Sequence, residues 1–147
     1  GGTATAVEDS SGRAGDGGGA SSRSGLAGVS RGAAMALFTG LRHAAPLAGI
    51  LALSGYLPLH ESLSAEASEV NHRVEILQAH GQHDDVVPYR IGHGSAELLR
   101  AAGYHVEWHE YPMAHQICPE EVQEIGRWLA RVLGEEAGDR SQETGGR

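Results

Sequence analysis

The sequence predicts an α/β domain with about four mostly parallel strands and helices flanking the sheet. The first observation is a continuous apolar run of strand length, "LAGILALSG" at residues 47–55, which is typical of a strand buried on both faces. The second is that strand-like segments alternate with helical patterns from residue 25 to residue 133. A chain of 147 residues is long enough for one such domain and too short for two.

The first part of the pattern is strand, helix, strand. "GLAG" at residues 25–28 is a short strand candidate, and "GAAMALFTGLRH" at 32–43 is rich in Ala and Leu without proline, as a helix would be. The apolar run at 47–55 is the second strand. Residues 57–73 are polar and weakly patterned, so we expect a loop with a short helix there.

The second part repeats the alternation. "VEILQAHG" at residues 74–81 is the third strand, and residues 90–103 form a helical pattern closed by glycine. Residues 104–112 alternate as a strand that a proline stops. Residues 119–133 open with a proline and two glutamates and keep an apolar stripe, which predicts the last helix.

The two ends of the chain differ in composition from its middle. Residues 1–25 are about half Gly and Ser and have hardly any large apolar side chain, so burial cannot repay the entropy of ordering them. Residues 135–147 are similarly polar. The sequence therefore predicts a disordered segment at 1–25, a domain at 26–134 and a disordered tail at 135–147.

Composition excludes several functions. The net charge of -8 and the lack of any basic run argue against nucleic acid as a partner. All eleven basic residues other than histidine are Arg, so a Walker A lysine and a Schiff-base lysine are excluded within this sequence. No apolar run is long enough to span a membrane, and the single Cys118 fits a reducing compartment. We expect a soluble, cytoplasmic protein.

Three strand ends deliver residues that could act together. "GVSRG" at 28–32 matches G-x-S-x-G, in which small neighbours let a strand turn sharply into a helix and expose the serine, here Ser30. Asp84 and Asp85 follow the strand at 74–81, and His115 follows the strand at 104–112. Active residues of such sheets collect beyond the carboxyl ends of the strands, so a Ser-Asp-His set is predicted.

Each of these residues has a chemical role available to it. His115 would take the hydroxyl proton of Ser30 as the serine attacks an acyl carbon, because the hydroxyl alone is a weak nucleophile. Asp84 would fix the imidazole tautomer and stabilise the imidazolium. The backbone N–H of Arg31 would donate to the developing oxyanion.

Other interpretations of the same residues stay open. Taken singly, Ser30 is a turn residue between glycines, His115 is one loop histidine among nine, and Asp84 is a turn or capping carboxylate. A metal site is a further alternative, for which the candidate ligands close in sequence are His80, His83, Asp84 and Asp85. The H-E-x-x-H signature is absent, so a metal is the weaker interpretation. The remaining histidines, including His109, show no common spacing and are interpreted as surface or satisfied polar residues.

Four blocks in order, from about Leu26 to Leu133, resemble the phospholipase/carboxylesterase family of α/β-hydrolases, which includes acyl-protein thioesterases. The blocks are "GVSRGAAMAL", "LAGILALSGYLP", "HGQHDDVVP" and "EYPMAHQICPEEVQEIGRWL". The resemblance implies a serine hydrolase of carboxylic esters or thioesters that needs no metal and no organic cofactor.

Position by position, the resemblance implies a nucleophile at Ser30, an acid at Asp84 and a base at His115. It also implies that Tyr56 and Leu57 face the acyl group of a small ester or thioester substrate.

Two departures from the family pattern have consequences. The elbow usually reads G-F-S-Q-G-G, whereas Val29, Arg31 and Ala33 replace its Phe, Gln and last Gly here. Residues 1–25 stand where the family has its first strands and the loop that supplies a second oxyanion donor. We therefore expect a partial α/β-hydrolase whose activity is weakened and whose first strand is an exposed edge open to homo-oligomers. The alternative is a non-catalytic remnant or interaction module.

Overall fold

The computed structural model describes residues 3–9 and 23–134, and it confirms the predicted α/β architecture. The strands of its single five-stranded sheet are β1 (Thr3–Asp9), β2 (Arg23–Val29), β3 (Gly49–Leu53), β4 (Glu75–Gly81) and β5 (His105–Tyr111). The helices are α1 (Arg31–Arg42), α2 (Leu63–Glu66), α3 (Tyr89–Ala101) and α4 (Pro119–Leu129), and a π-helical turn follows at Ala130–Gly134.

The strands lie in the sheet in their chain order, and β2 to β5 are parallel. One line of paired residues crosses the four parallel strands: Gly28, Ala52, Gln78 and Trp108. Because the strands are parallel, their carboxyl ends meet at one edge of the sheet. The loops after β2, β4 and β5 are thereby brought together.

Strand β1 is a correction to the sequence analysis. Thr3–Asp9 was predicted to lie in a disordered segment, but it pairs antiparallel with β2, with Thr3 opposite Val29 and Asp9 opposite Arg23. Main-chain hydrogen bonds pair β1 with the edge of β2, and such pairing does not need large apolar side chains. The composition of residues 1–25 therefore did not predict this strand. Association through a free edge of β2 would therefore require β1 to move away. Residues 10–22 and the predicted tail at 135–147 lie outside the described residues.

Helices cover both faces of the sheet. On one face α1 and α3 bury Leu37, Leu41 and Leu99 against Ile50 and Ile76 of the strands. On the other face, Trp128 of α4 packs among a second group of apolar strand residues, which are Leu51, Leu53, Leu77 and Ala79. This layering explains why β3 and β4 are apolar without alternation, since both of their faces are covered. It holds the carboxyl-end loops on a rigid support.

Candidate active site

Ser30 lies at a sharp turn between β2 and α1. Its backbone has φ 61° and ψ -122°, a positive-φ conformation outside the left-handed helical region that a non-glycine residue rarely adopts. The turn brings strand and helix so close that a Cβ on Gly28 would lie 2.1 Å from the carbonyl oxygen of Gly32. The Ser30 N–H donates to the Leu53 carbonyl at 2.8 Å, which fixes the turn to β3. The glycine of the motif is therefore a steric requirement.

Asp84 lies in the loop after β4, and its side chain is completely buried. Its Oδ1 accepts hydrogen bonds from the backbone N–H groups of Val86 and Val87, both at 2.8 Å. Its Oδ2 lies 2.7 Å from Nδ1 of His115. Asp85 is exposed. The structure thus directs the first aspartate of the pair, and not the second, to the histidine.

These contacts determine the charge state of Asp84. Burial by itself would raise the pKa of the carboxyl, but the hydrogen bonds from His115, Val87 and Val86 outweigh burial and lower it. The carboxylate is therefore ionised at neutral pH and can accept a hydrogen bond from an N–H at Nδ1 of the imidazole.

The loop after β5 carries His115 and packs tightly on the loop after β4. The Gln82 N–H donates to the Tyr111 carbonyl at 2.8 Å. A Cβ on Gly81 would lie 2.3 Å from the carbonyl oxygen of Met113, so only glycine permits this approach of the two backbones. The acid loop and the histidine loop position each other.

His115 joins the other two predicted residues. Its Nε2 lies 3.1 Å from the Ser30 hydroxyl oxygen, across 85 positions of sequence, while its Nδ1 faces Asp84. With the imidazole proton on Nδ1, the unprotonated Nε2 accepts a hydrogen bond from the Ser30 hydroxyl. A continuous hydrogen-bond chain therefore runs from a buried carboxylate through an imidazole to a strained serine.

The other predicted site residues lie around this chain in different settings. Arg31 is the first residue of α1, so its backbone N–H belongs to the first turn, where helical N–H groups have no partner within the helix. Tyr56 is half-buried. Leu57 is packed in the core on the α1 and α3 face, and its N–H donates to the Ser95 hydroxyl at 2.8 Å.

His80 has a structural role that the sequence analysis did not identify. It is 1% exposed, and its Nε2 lies 2.8 Å from the Val87 carbonyl and 3.5 Å from Oδ2 of Asp84. The contact with the carbonyl requires a proton on Nε2, so this nitrogen is not free for a metal. A Cβ on Gly92 of α3 would lie 2.4 Å from the ring, so the helix packs directly on it. The signal available in the sequence was a histidine at the end of an apolar strand.

The alternative metal site of the sequence analysis does not assemble in the residues that the structure describes. His83 and Asp85 are exposed, while His80 and Asp84 are buried and bonded to the loop backbone.

Glu110 of β5 ties that strand to the start of α3 and to the acid loop. Its carboxylate accepts hydrogen bonds from Trp108 Nε1 at 2.8 Å, the Tyr89 hydroxyl at 2.7 Å and Gln82 Nε2 at 2.8 Å. These three donors lower the pKa of Glu110 from 4.5 to about 2. Gln82 neighbours the turn that carries Asp84, so Glu110 supports the loop from outside the hydrogen-bond chain.

Glu110→Gln should change the acid dependence of stability. Because the folded pKa is about 2 and the unfolded value is near 4.5, the ionised carboxylate stabilises the fold above pH 4.5, and this contribution is lost as the pH falls to about 2. In the variant, the free energy of unfolding should fall less steeply across this window. Urea denaturation at a series of pH values measures it, with the exposed Glu97→Gln as a charge-matched control. Parallel curves for wild type and Glu110→Gln would contradict the assignment.

Comparison with known proteins places the chain in a family. The four parallel strands and their flanking helices are part of an α/β-hydrolase fold. The family model described as phospholipase/carboxylesterase matches residues 14–133. The chain therefore belongs to the phospholipase/carboxylesterase family, as its sequence motifs predicted.

Individual relatives agree with this placement. Acyl-protein thioesterase 1 of Gibberella zeae is 39% identical over 111 residues, which are 74% of this chain and 47% of that protein. Its namesake in Neurospora crassa is 40% identical over 121 residues, with 80% and 49% covered. The solved structure of Zea mays acyl-protein thioesterase 2 superposes with a TM-score of 0.69 at 32% identity and covers 75% of this chain and 56% of that one. The chain spans about half the length of the relatives it matches.

Within residues 3–9 and 23–134, no helix is both long enough and apolar enough to cross a bilayer.

Proposed function

We propose that this chain carries the active site of a serine hydrolase that cleaves carboxylic esters or thioesters, with Ser30 as nucleophile, His115 as general base and Asp84 as its orienting acid. The observation that carries the proposal is the hydrogen-bond chain from Asp84 through His115 to Ser30, with distances of 2.7 and 3.1 Å. Relatives named acyl-protein thioesterase and carboxylesterase support the substrate class.

The first half-reaction forms an acyl-enzyme. The Ser30 oxygen attacks the acyl carbon while its proton passes to Nε2 of His115, and the carbonyl oxygen becomes an oxyanion. As the tetrahedral intermediate collapses, the bond to the leaving group breaks and the imidazolium gives its proton to the departing alcohol or thiol. The acyl group is then an ester on Ser30.

The second half-reaction uses water in place of the leaving group. His115 removes a proton from a water molecule as the water oxygen attacks the acyl carbon, and then returns the proton to the Ser30 oxygen. The carboxylic acid is released and the serine is restored. Each proton moves through one imidazole nitrogen, so no cofactor is needed.

Asp84 and Arg31 stabilise the charges that develop. The buried carboxylate holds the proton on Nδ1 and favours the imidazolium, because its own pKa is lowered and it stays ionised. The backbone N–H of Arg31 is the oxyanion donor that we assign in the described part of the chain. Because the Ser30 N–H is bonded to Leu53, it is not available for this role.

The isolated chain is expected to be a slow enzyme. Among residues 3–9 and 23–134 we assign one oxyanion donor, where two are usual, and the loss of one donor costs roughly 10² to 10³ in kcat. Hydrolysis of a short p-nitrophenyl ester should therefore lie well below an ordinary rate of about 10 s⁻¹, yet above that of Ser30→Ala. Equal rates for the wild type and Ser30→Ala would favour a non-catalytic interaction module. Turnover near 10 s⁻¹ would show that a second donor operates.

A further inference from the structure

On the α4 face of the sheet, β5 and α4 bring an imidazole and two carboxylates together outside the proposed active site. Glu107 and His109 are two positions apart on β5 and therefore project to the same face, while Glu124 comes from α4. One ligand atom from each of the three side chains lies within 4.8 Å of the others. Nε2 of His109 is 2.7 Å from Oε2 of Glu107 and 3.8 Å from Oε1 of Glu124.

Two arginines hold the outer oxygens of these carboxylates. Arg131 lies 2.7 Å from Oε1 of Glu107, and Arg127 lies 2.5 Å from Oε2 of Glu124. The inner oxygens, Oε2 of Glu107 and Oε1 of Glu124, are the ones that face His109. Contacts of this kind from outside a site orient ligating carboxylates. The arginines thus hold the two carboxylates in place, while the two inner oxygens and Nε2 of His109 are not bonded to either arginine.

A second observation is a buried carboxyl group beside the cluster. Glu121 lies one helical turn before Glu124, is fully buried, and receives no side-chain hydrogen bond from the described residues. Burial raises its pKa more than the backbone of Cys118 and the imidazole of His109 lower it. A buried carboxyl group without a charged partner is costly to ionise, so a cation held at His109 would stabilise its ionised form.

The Tyr111 hydroxyl of β5 is a second buried polar group beside the cluster. Tyr111 is two positions from His109 and therefore projects to the same face of the sheet. Its hydroxyl has no hydrogen-bond partner in the part of the chain that the structure describes.

We propose that Glu107, His109 and Glu124 bind a divalent transition-metal ion, with zinc as the preferred ion. Imidazole nitrogen and carboxylate oxygen are both zinc ligands at about 2.0 to 2.2 Å, and three protein ligands leave a fourth position for water. Binding places the imidazole proton on Nδ1 and frees Nε2 for the metal. The ion would clamp β5 to α4, the two elements on either side of the loop that carries His115.

The test is zinc titration of the untagged chain by isothermal calorimetry, with circular dichroism to confirm that each variant is folded. We expect one zinc per chain at this site. Glu124→Gln should weaken binding by at least the roughly 10- to 100-fold that loss of an outer-shell partner costs, and His109→Gln should do the same. Glu124 is a partly exposed helix residue, so its variant decides the question if His109→Gln does not fold.

His105→Gln is the matched control. His105 also lies on β5 and pairs with one carboxylate, Oε1 of Glu75 at 2.9 Å, but it has no third ligand in the cluster found among the described residues. The His105→Gln variant should bind zinc with the same affinity as the wild type. Absence of saturable binding to the wild type, unchanged affinity in Glu124→Gln, or loss of binding in His105→Gln would each overturn the proposal.

Discussion

Asp84→Asn is expected to lower kcat for ester hydrolysis by about 10⁴. The asparagine amide can keep the contacts of the loop but can present an N–H to Nδ1, which favours the imidazole tautomer with its proton on Nε2. That nitrogen then cannot accept the hydroxyl proton of Ser30. Steady-state hydrolysis of a p-nitrophenyl ester near neutral pH measures the change.

The adjacent aspartate provides the control for this prediction. Asp85 is exposed, whereas the Asp84 carboxylate is buried against His115. Asp85→Asn removes the same charge and should leave kcat nearly unchanged. An active Asp84→Asn beside an inactive Asp85→Asn would reverse the assignment of the acid.

Gly28→Ala is expected to be the most destabilising single-methyl change in the turn that carries Ser30. The added Cβ would meet the Gly32 carbonyl oxygen at 2.1 Å and the Ala33 nitrogen at 2.6 Å, and both are backbone atoms that cannot rotate away. Overpacking usually costs about 1–3 kcal/mol, and a backbone collision belongs at the upper end or beyond. Urea denaturation should show a loss of about 3 kcal/mol or a chain that does not fold.

A glycine without close neighbours is the matched control. Gly126 lies in α4, and a Cβ there would have nothing within 4 Å. Gly126→Ala should therefore stabilise the protein by about 0.5–1 kcal/mol, because alanine loses less backbone entropy in a helix. A Gly28→Ala protein as stable as the wild type would show that the turn is looser than described.

The parallel part of the sheet was predictable because burial on two faces leaves a direct mark on sequence. The runs that became β3 and β4 are apolar without alternation, and Pro119 opens the last helix where a proline costs least. Boundaries moved by a few residues: β2 begins at Arg23, and β3 is the shorter segment Gly49–Leu53. Main-chain pairing rather than side-chain pattern sets these ends.

The residues of the candidate site could be chosen from the sequence because a parallel sheet places its strand ends together. Ser30, Asp84 and His115 each follow a strand, and the structure joins them through hydrogen bonds. The choice between the two aspartates came from the family pattern. Burial and hydrogen-bond direction, which no spacing reveals, support the same choice.

The features that escaped prediction depend on contacts between distant parts of the chain. Strand β1 has Thr and Val at alternate positions, a weak signal that the surrounding glycine and serine obscured. His80 bonds to the Val87 carbonyl, and Glu110 accepts a hydrogen bond from the Tyr89 hydroxyl. The identity of one residue in the sequence does not predict such partners. His109 showed no useful spacing because one of its neighbours, Glu124, comes from α4.

The most direct test of the central claim is labelling of the folded chain with a fluorophosphonate probe, followed by mass spectrometry to locate the adduct. The probe reacts with a serine whose hydroxyl is activated by a neighbouring base. We predict a single adduct on Ser30 that is absent in Ser30→Ala and retained in Ser64→Ala, which alters an exposed serine. No labelling of the folded wild type, or an adduct that persists in Ser30→Ala, would contradict the account.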